Sequence, residues 1–417
     1  MKIRKKCTIA AIIAITVIFT SCNDDNDIVG TPGLEFTLIN DGTAYSVSGG
    51  SATSGVVTIP VRYNGIPVTA IDELAFDSCG NLTRIKIPSG VRSIGDYAFY
   101  KCTNLTEVSN IAGLRTIGNF AFAECTSLTD VTIPAGVTSI GFLAFSHCYS
   151  LTSITIPASV TFIGTGAFVA CPGLTGITVD ENNPNYASEG GILYDKTKTT
   201  LITAPGAMQG AFTIPDGVTT ISVNAFSYCN SLSSVTIPAG VTSIGNFAFN
   251  HCPGLTGITV DKDNPNYASE GGILYDKAKT ALIAAPGAIL GAVIIPKSVT
   301  SIKDYAFTGC ENLTGITIPE GVTSIGMDAF SGCAGLTGIT IPTGVTSIGP
   351  RMFSGCTGLT GITIPKDVRF VGKMTFSQWT AQQTIYIDGK ANREAAVSAG
   401  WDENWDSDCQ ATIIYKG

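Results

Sequence analysis

One spacing dominates this chain. Cysteines stand at 79, 102, 125, 148 and 171, each 23 residues after the last, and resume at 229 and 252 and again at 310, 333 and 356. The two longer gaps, 171 to 229 and 252 to 310, are both 58 residues, which is 23 plus 35. A Phe precedes each of these cysteines by three positions (Phe76, Phe99, Phe122 through to Phe353), and a Leu follows by three (Leu82, Leu105, Leu128 through to Leu359). An eleventh unit keeps Phe376 but carries Trp379 in the cysteine's place. A globular domain has no use for such a period. A solenoid is made of it, because each unit buries its apolar face only by stacking on its neighbours.

The unit is Leu-Thr-x-Ile-Thr-Ile-Pro-x-x-Val-Thr-Ser-Ile-Gly-x-x-Ala-Phe-x-x-Cys-x-x, seen with one change in Leu151 to Gly173. Ile154 and Ile156 alternate with Thr155, the period of a half-buried strand. Pro157 ends that strand because it cannot donate to a ladder. Val160 to Ile163 predicts a second short extended piece, Gly164 a turn, and Ala167-Phe168-x-x-Cys171 one helical or 3₁₀ turn. The interior would hold Leu, Ile, Val, Ala, Phe and Cys, stacked on their copies in adjacent coils about 4.8 Å away.

That interior explains the composition. The chain is 44% hydrophobic and 13% charged, with mean hydropathy +0.31, against about 25% charged in an ordinary domain. The one uninterrupted apolar run, Thr8 to Phe19, is shorter than the roughly 20 residues of a spanning helix. An isoelectric point near 4.8 argues against nucleic acid as a partner. Metal-binding cysteines come in close clusters with His partners, but here there is one Cys per coil. The two histidines, His147 and His251, each merely precede a repeat cysteine. No metal or cofactor is expected. Stacked coils are close enough for disulfides, yet inward-pointing cysteines predict buried thiols packed as small hydrophobes. Cys409 stands outside the ladder.

The Leu-Thr-x-Ile-Thr-Ile-Pro and Ser-Ile-Gly-x-x-Ala-Phe-x-x-Cys elements resemble those of BspA-like leucine-rich-repeat surface proteins, over roughly residues 55 to 380. The resemblance implies a right-handed leucine-rich-repeat solenoid, bacterial surface display, binding of host or partner proteins, and no catalytic residues. The fold class expected is thus a mainly β repeat solenoid with short helical or 3₁₀ turns and a cap at each end. We place the N-terminal cap at 34–68, the solenoid at 69–380 and the C-terminal cap at 381–417. The 35-residue insertions fall near 177–211 and 258–292. Terminal units with an atypical outer face keep a solenoid soluble. In the C-terminal cap a helical stretch is expected near Ala391 to Ala399, with Trp401 and Trp405 as packing aromatics.

Ahead of the repeats, Lys2, Arg4, Lys5 and Lys6 precede the apolar run. This is the layout of a secretory signal, here residues 1–21. Phe19-Thr20-Ser21-Cys22 resembles the lipobox of bacterial lipoproteins, which implies cleavage before Cys22 and its acylation. Two or more acyl chains anchor stably where one does not, so membrane attachment would run through lipid alone. Asn23-Asp24-Asp25-Asn26-Asp27 is similar to the surface-export signal of lipoproteins in the Bacteroides group, at the start of an acidic tether, 22–33. Loss of residues 1–21 leaves 20 cations against 32 anions, a net charge of −12. The expected location is the outer membrane, facing outward.

The insertions repeat one another. Asp180-Glu-Asn-Asn-Pro-Asn-Tyr186 recurs as Asp261-Lys-Asp-Asn-Pro-Asn-Tyr267, and Leu193-Tyr-Asp195 as Leu274-Tyr-Asp276. The polar stretch between Tyr194 and Leu201 predicts a hairpin. Paired acids invite a calcium reading, but an EF-hand needs Gly at position 6 and Glu at 12. Those positions hold Asn185 and Gly191, so a structural turn is expected.

No nucleophile elbow, zinc-protease, P-loop or dinucleotide motif occurs, so binding is favoured over catalysis. The outward strand position is Thr in eight coils (Thr132, Thr155, Thr178, Thr236, Thr259, Thr317, Thr340, Thr363). The second outward position is Gly or Ser in most coils, and the first three coils differ at these two positions, with Arg84, Lys86, Glu107 and Asp130. Solenoids bind through a continuous face, making these four the candidate contacts for a host or matrix protein. The alternative function is glycan capture, with Tyr97, Phe120, Phe247 and Tyr305, each two before the core Phe, as aromatic platforms.

Overall fold

The computed structural model describes residues 30–109 and 111–417. The signal segment and Cys22 lie outside the described residues, as does Asn110, a polar residue where the repeat has an interior Ile. The described chain is a mainly β solenoid of about 15 turns with almost no helix, the fold class expected.

Each regular coil contributes to two parallel ladders. In one, strands such as Asn81–Lys86, Glu107–Ser109, Ser153–Ile156 and Gly176–Val179 carry the Leu-Thr-x-Ile-Thr-Ile pattern. Ile154 opposes Ile177 and Thr155 opposes Thr178, so like stacks on like. In the other, the two-residue strands Ser93–Ile94, Thr116–Ile117, Ser139–Ile140 and Phe162–Ile163 pair in sequence. Pleating then decides burial: Ile154 and Ile156 are buried between exposed Ser153 and Thr155.

At the corner, Ala-Phe-x-x-Cys closes one 3₁₀-type turn, Cys102 N–H to Phe99 O (3.2 Å), overlapped by a second, Tyr100 N–H to Tyr97 O (3.1 Å), but does not run on as helix. A left-handed residue starts each turn's flank, Tyr97 at φ 55° and Lys101 at φ 57°, and the pair recurs as Phe120 and Glu124 and as Leu143 and His147. The intervening amides bond to the next coil instead, Phe99 to Ala121 O and Lys101 to Ala123 O, at 2.8 and 2.9 Å. The backbone gives up helical bonds to gain a third ladder, and in this corner every amide from Tyr97 to Cys102 is bonded. Between strand and corner, a Cβ on Gly141 would lie 2.5 Å from the Asn119 nitrogen. Only glycine admits this approach of one coil to the last.

The cysteines are free thiols, nine of the ten in the ladder buried and Cys79 half-buried. Each buried one has a specific bond. Cys102, Cys125, Cys148 and Cys171 donate Sγ–H to the Phe carbonyl 26 residues earlier, at 3.1 to 3.2 Å. Trp379 keeps the bond with a different donor, its indole Nε1–H reaching Phe353 O at 2.8 Å. The site therefore takes a small or flat apolar group carrying one donor, and Cys supplies it in nine coils. The core phenylalanines stack beside them, Phe76 on Phe99 at 5.2 Å and Phe99 on Phe122 at 5.1 Å.

The 35-residue segments do not stand outside the solenoid. In the first, Gly176–Val179 continues one ladder from Ser153–Ile156, and Thr200–Thr203 runs parallel to Thr220–Ile221 in the other. Each segment is thus a coil in its own right, with a hairpin added and a corner shortened to Ala204-Pro205-Gly206. Strands Tyr186–Glu189 and Ile192–Asp195 pair across Gly190 and Gly191, both left-handed, the backbone that a tight two-residue hairpin needs. The expected hairpin between Ile192–Asp195 and Thr200–Thr203 is present too.

These hairpins divide the core into three. One apolar cluster runs from Tyr45 to Leu193, the next from Ile192 to Leu274, and the last from Ile273 to Trp405. The strand Ile192–Asp195 forms a shared wall: Leu193 belongs to the first core, while Ile192 and Tyr194 belong to the second, and all three are buried.

Two devices close the ends. Glu35–Ile39 lies antiparallel on Ala44–Ser48 and so ends the parallel ladder. At the other end Thr384–Asp388 and Thr412–Lys416 extend the other ladder, from Gly361–Ile364. Between them sits the helix Arg393–Ser398, capped by the Asn392 side chain on the Ala395 amide. Trp401 and Trp405 are buried packing aromatics, their rings 5.2 Å apart and edge to face.

Candidate functional site

The four charged candidates occupy consecutive coils on the outward side of one ladder. Arg84 stands opposite Glu107 in register, and Lys86 opposite Ser109. Asp130 continues the line through a bridge to Ser153. The structure brings Arg84 and Glu107 together in an ion pair, Nε to Oε2 2.8 Å, each side chain 46% exposed. A pair so exposed contributes about 0–1 kcal/mol. Lys86 and Asp130 are exposed. Beside them a groove of about 680 Å³ runs along Glu107, Ser109, Ile111, Asp130 and Thr132. Farther along, the outward Thr positions continue the face, with Thr155, Thr178 and Thr259 exposed. The neighbouring Thr of each coil is committed to structure: Thr152 and Thr175 hydroxyls donate to the Thr129 and Thr152 carbonyls.

The insertion motif is a splice. Asn183 is fully buried and uses its whole amide: Nδ2 donates to Pro157 O (2.8 Å) and Val160 O (3.0 Å), while Oδ1 accepts from the Asn185 and Tyr186 amides. Asn185 Nδ2 reaches Thr161 O, and the Tyr186 hydroxyl accepts from Ile163 N–H. Side chains here take over the ladder bonds that the hairpin interrupts. Asn264, Asn266 and Tyr267 repeat every contact. Asp180 holds the turn through the Asn182 amide at 2.9 Å.

The four aromatic candidates fall in two places. Tyr97 and Phe120 stack on each other, centroids 4.6 Å apart and 7° from parallel, with exposed Phe142 edge-on to Phe120. Their faces are largely spent on one another. Phe247 and Tyr305 meet edge to face at 4.6 Å, although 58 residues separate them. Their meeting follows from the shortened corner of the hairpin coil, which leaves a notch between the full corners on either side.

There are two such notches, and each position of the first recurs 81 residues later in the second, as Asp180 does at Asp261. In the second, a cavity of about 440 Å³ is floored by Ile283, Ala284 and Ala285 and walled by Asn246, Phe247, Asn250, Lys303, Asp304 and Tyr305. In the first, those six wall positions hold Thr165, Gly166, Val169, Ser222, Val223 and Asn224. The rims differ as well. Tyr228 reaches His147 across the first notch, centroids 5.6 Å apart. At the second, the position of Tyr228 is Gly309, and the rings that meet across this notch are Phe247 and Tyr305. His251 stacks back on Tyr228 at 4.7 Å. Burial lowers the pKa of both histidines, Glu124 opposing the shift at His147 and Asp328 at His251. The notch itself went unnoticed in the sequence. Its signal was the mismatch between two otherwise matching copies.

With this geometry in hand, comparison with known proteins is decisive for the family. A BspA type leucine rich repeat region, in six copies, matches residues 69–189, 209–270 and 288–393. The chain belongs to this family. The breaks in the BspA-type match, 190–208 and 271–287, fall on the hairpins and shortened corners, where the 23-residue unit is interrupted. Among solved structures the chain is similar to a leucine rich cell surface protein from Faecalibacterium prausnitzii A2-165. That match has 28% identity and TM-score 0.52, covering 95% of this chain and 96% of that one. It is also similar to a leucine-rich repeat protein from Eubacterium ventriosum, at 26% identity and TM-score 0.49, covering 78% and 93%. No curated protein matches this BspA-type chain.

Proposed function

We propose that the protein is a surface-anchored lipoprotein whose solenoid binds host or matrix proteins and performs no catalysis. The observation that carries this reading is the BspA-type repeat over most of the chain, together with its similarity to a cell surface protein of the same architecture. The anchor rests on Cys22 in its lipobox-like context, and outward display on the acidic stretch that follows it. The binding face is the outward ladder bearing Arg84, Lys86, Glu107 and Asp130, beside the groove that Glu107 and Asp130 share.

Two experiments test it. Purified extracellular-matrix proteins are passed over the immobilised chain, and the binder is then offered a variant with all four charges reversed. Loss of binding by about tenfold or more is expected, since correct charge pairing governs encounter and specificity. Absence of any binder, or unchanged binding by the variant, contradicts the face. For the anchor, cells fed a clickable fatty acid should label the wild-type protein and not Cys22→Ala, and protease on intact cells should remove the wild-type protein.

A further inference from the structure

The second notch has features that a protein-binding face does not require. We propose that it is a saccharide-binding subsite for a neutral mono- or oligosaccharide, separate from the charged face and independent of it.

Four observations converge. First, the cavity of about 440 Å³ falls within the roughly 300–1,000 Å³ of small-ligand sites. Second, its wall offers Phe247 and Tyr305, both half-buried, and an aromatic face pairs with the C–H face of a sugar ring as it does with other apolar surface. Third, the Asn250 side-chain oxygen is buried and, among the described residues, has no hydrogen-bond partner. Buried polar atoms are mostly paired, Trp405 Nε1 being the other exception among the described residues, and a turn of the Asn250 amide toward the cavity it lines would let a ligand hydroxyl supply the missing donor. Fourth, the remaining polar wall suits a neutral ligand. Lys303 and Asp304 are adjacent and opposite in charge, and Asp304 spends one oxygen on the Met327 amide at 2.8 Å.

The first notch serves as an internal control. It has the same hairpin, the same shortened corner and the same Asn-based splice. Yet Gly166 and Asn224 replace the aromatic pair, Val169 replaces Asn250, and Ser222 and Val223 replace the charged pair. Tyr228 and His147 bridge its outer rim. A residue set that the scaffold tolerates at one notch has been exchanged for aromatic and amide groups at the other, and the rim there is open at Gly309.

The test uses the full chain on a panel of maltotriose, cellotriose, mannotriose, xylotriose, chitotriose and N-acetyllactosamine. Binding is followed by saturation-transfer NMR from the protein to the sugar ring protons. At least one saccharide should bind with a Kd of about 1 mM or tighter. Two variants then locate it. Asn250→Val removes the unpaired acceptor with a residue already found at the matching position. A six-site exchange (N246T, F247G, N250V, K303S, D304V, Y305N) rebuilds the second notch as the first. Unchanged circular dichroism shows that the exchange folds. Asn250→Val should weaken binding about tenfold and the exchange should abolish it. Absence of binding across the panel overturns the proposal, as does binding that survives the exchange.

Discussion

Residues 174–208 and 255–289 build one kind of coil twice, and the two copies divide sharply into what is kept and what has drifted. Kept are the buried Asn183 and Asn264 with all four of their bonds, the Tyr186 and Tyr267 hydroxyls on the Ile163 and Ile244 amides, and the strand that walls one core from the next. Changed are the corners facing each other across the notch. The lesson is about where a solenoid is free to vary. A hairpin that interrupts a ladder must replace every lost bond with a side chain, so its polar residues are committed. The gap left by its short corner is bordered by residues outside that splice, Asp304 among them still bonding the Met327 amide, and the others can be turned to a ligand.

If the two splices are equivalent, breaking them should cost the same. Asn183→Ala and Asn264→Ala each strand several buried backbone groups, at about 1–3 kcal/mol for an unsatisfied group. We expect a loss of roughly 3–5 kcal/mol apiece by the same rule, read from urea unfolding. Unequal losses would break the comparison. The cysteine bonds sharpen it. After the hairpin coils, Cys229 and Cys310 sit 3.6 Å from the Pro205 and Pro286 carbonyls, whereas Cys125 sits 3.1 Å from Phe99 O. Cys125→Ala should cost about 1–2 kcal/mol. The same change at Cys229 and Cys310 should cost less, and equally at both.

The histidine cluster gives a pH-dependent contrast. Burial lowers the pKa of His147 and His251 below the ordinary 6.5. The unfolded chain therefore binds more protons than the native one as pH falls below 6.5, and stability declines with it. The contribution is whole above pH 6.5 and is lost as pH falls from that value through the lower pKa of the folded state. A His147→Ala, His251→Ala double variant should show a shallower loss of melting temperature between pH 7 and pH 5, carboxylate titrations being common to both proteins. The smallest effect belongs to the exposed Arg84–Glu107 pair. Glu107→Gln should change stability by no more than about 1 kcal/mol, whatever it does to a partner.

Most of the fold was legible because the period carried it. Apolar alternation in Ile154-Thr155-Ile156, the stop at Pro157 and the repeated Gly before each corner each had one physical reading, and ten copies multiplied it. Two things were not legible. The corner was expected to be one helical or 3₁₀ turn because Ala-Phe-x-x-Cys suits either; its i→i+3 bonds are there, but alternate amides bond between coils, a long-range preference that no single unit displays. The 35-residue segments passed for insertions because they lack the Phe and Cys that mark a coil, although Gly176–Val179 pairs with the coil before and Thr200–Thr203 with the coil after. Of the site, the charged positions could be read from their departure from the Thr and the Gly or Ser of the two outward positions. The notch depended on which corners become neighbours once one is shortened.

The central claim is that each 35-residue segment is a coil of the stack, bonded on both sides, with only its notch lining free to differ. Native-state hydrogen exchange resolved along the chain tests it directly. Thr200–Thr203 and Ala281–Ala284, and the Ile163 and Ile244 amides that bond to tyrosine hydroxyls, should exchange as slowly as the ladder strands Ser139–Ile140 and Ser324–Ile325, and alike in both copies. Exchange at the rate of an exposed loop in either segment would contradict the account.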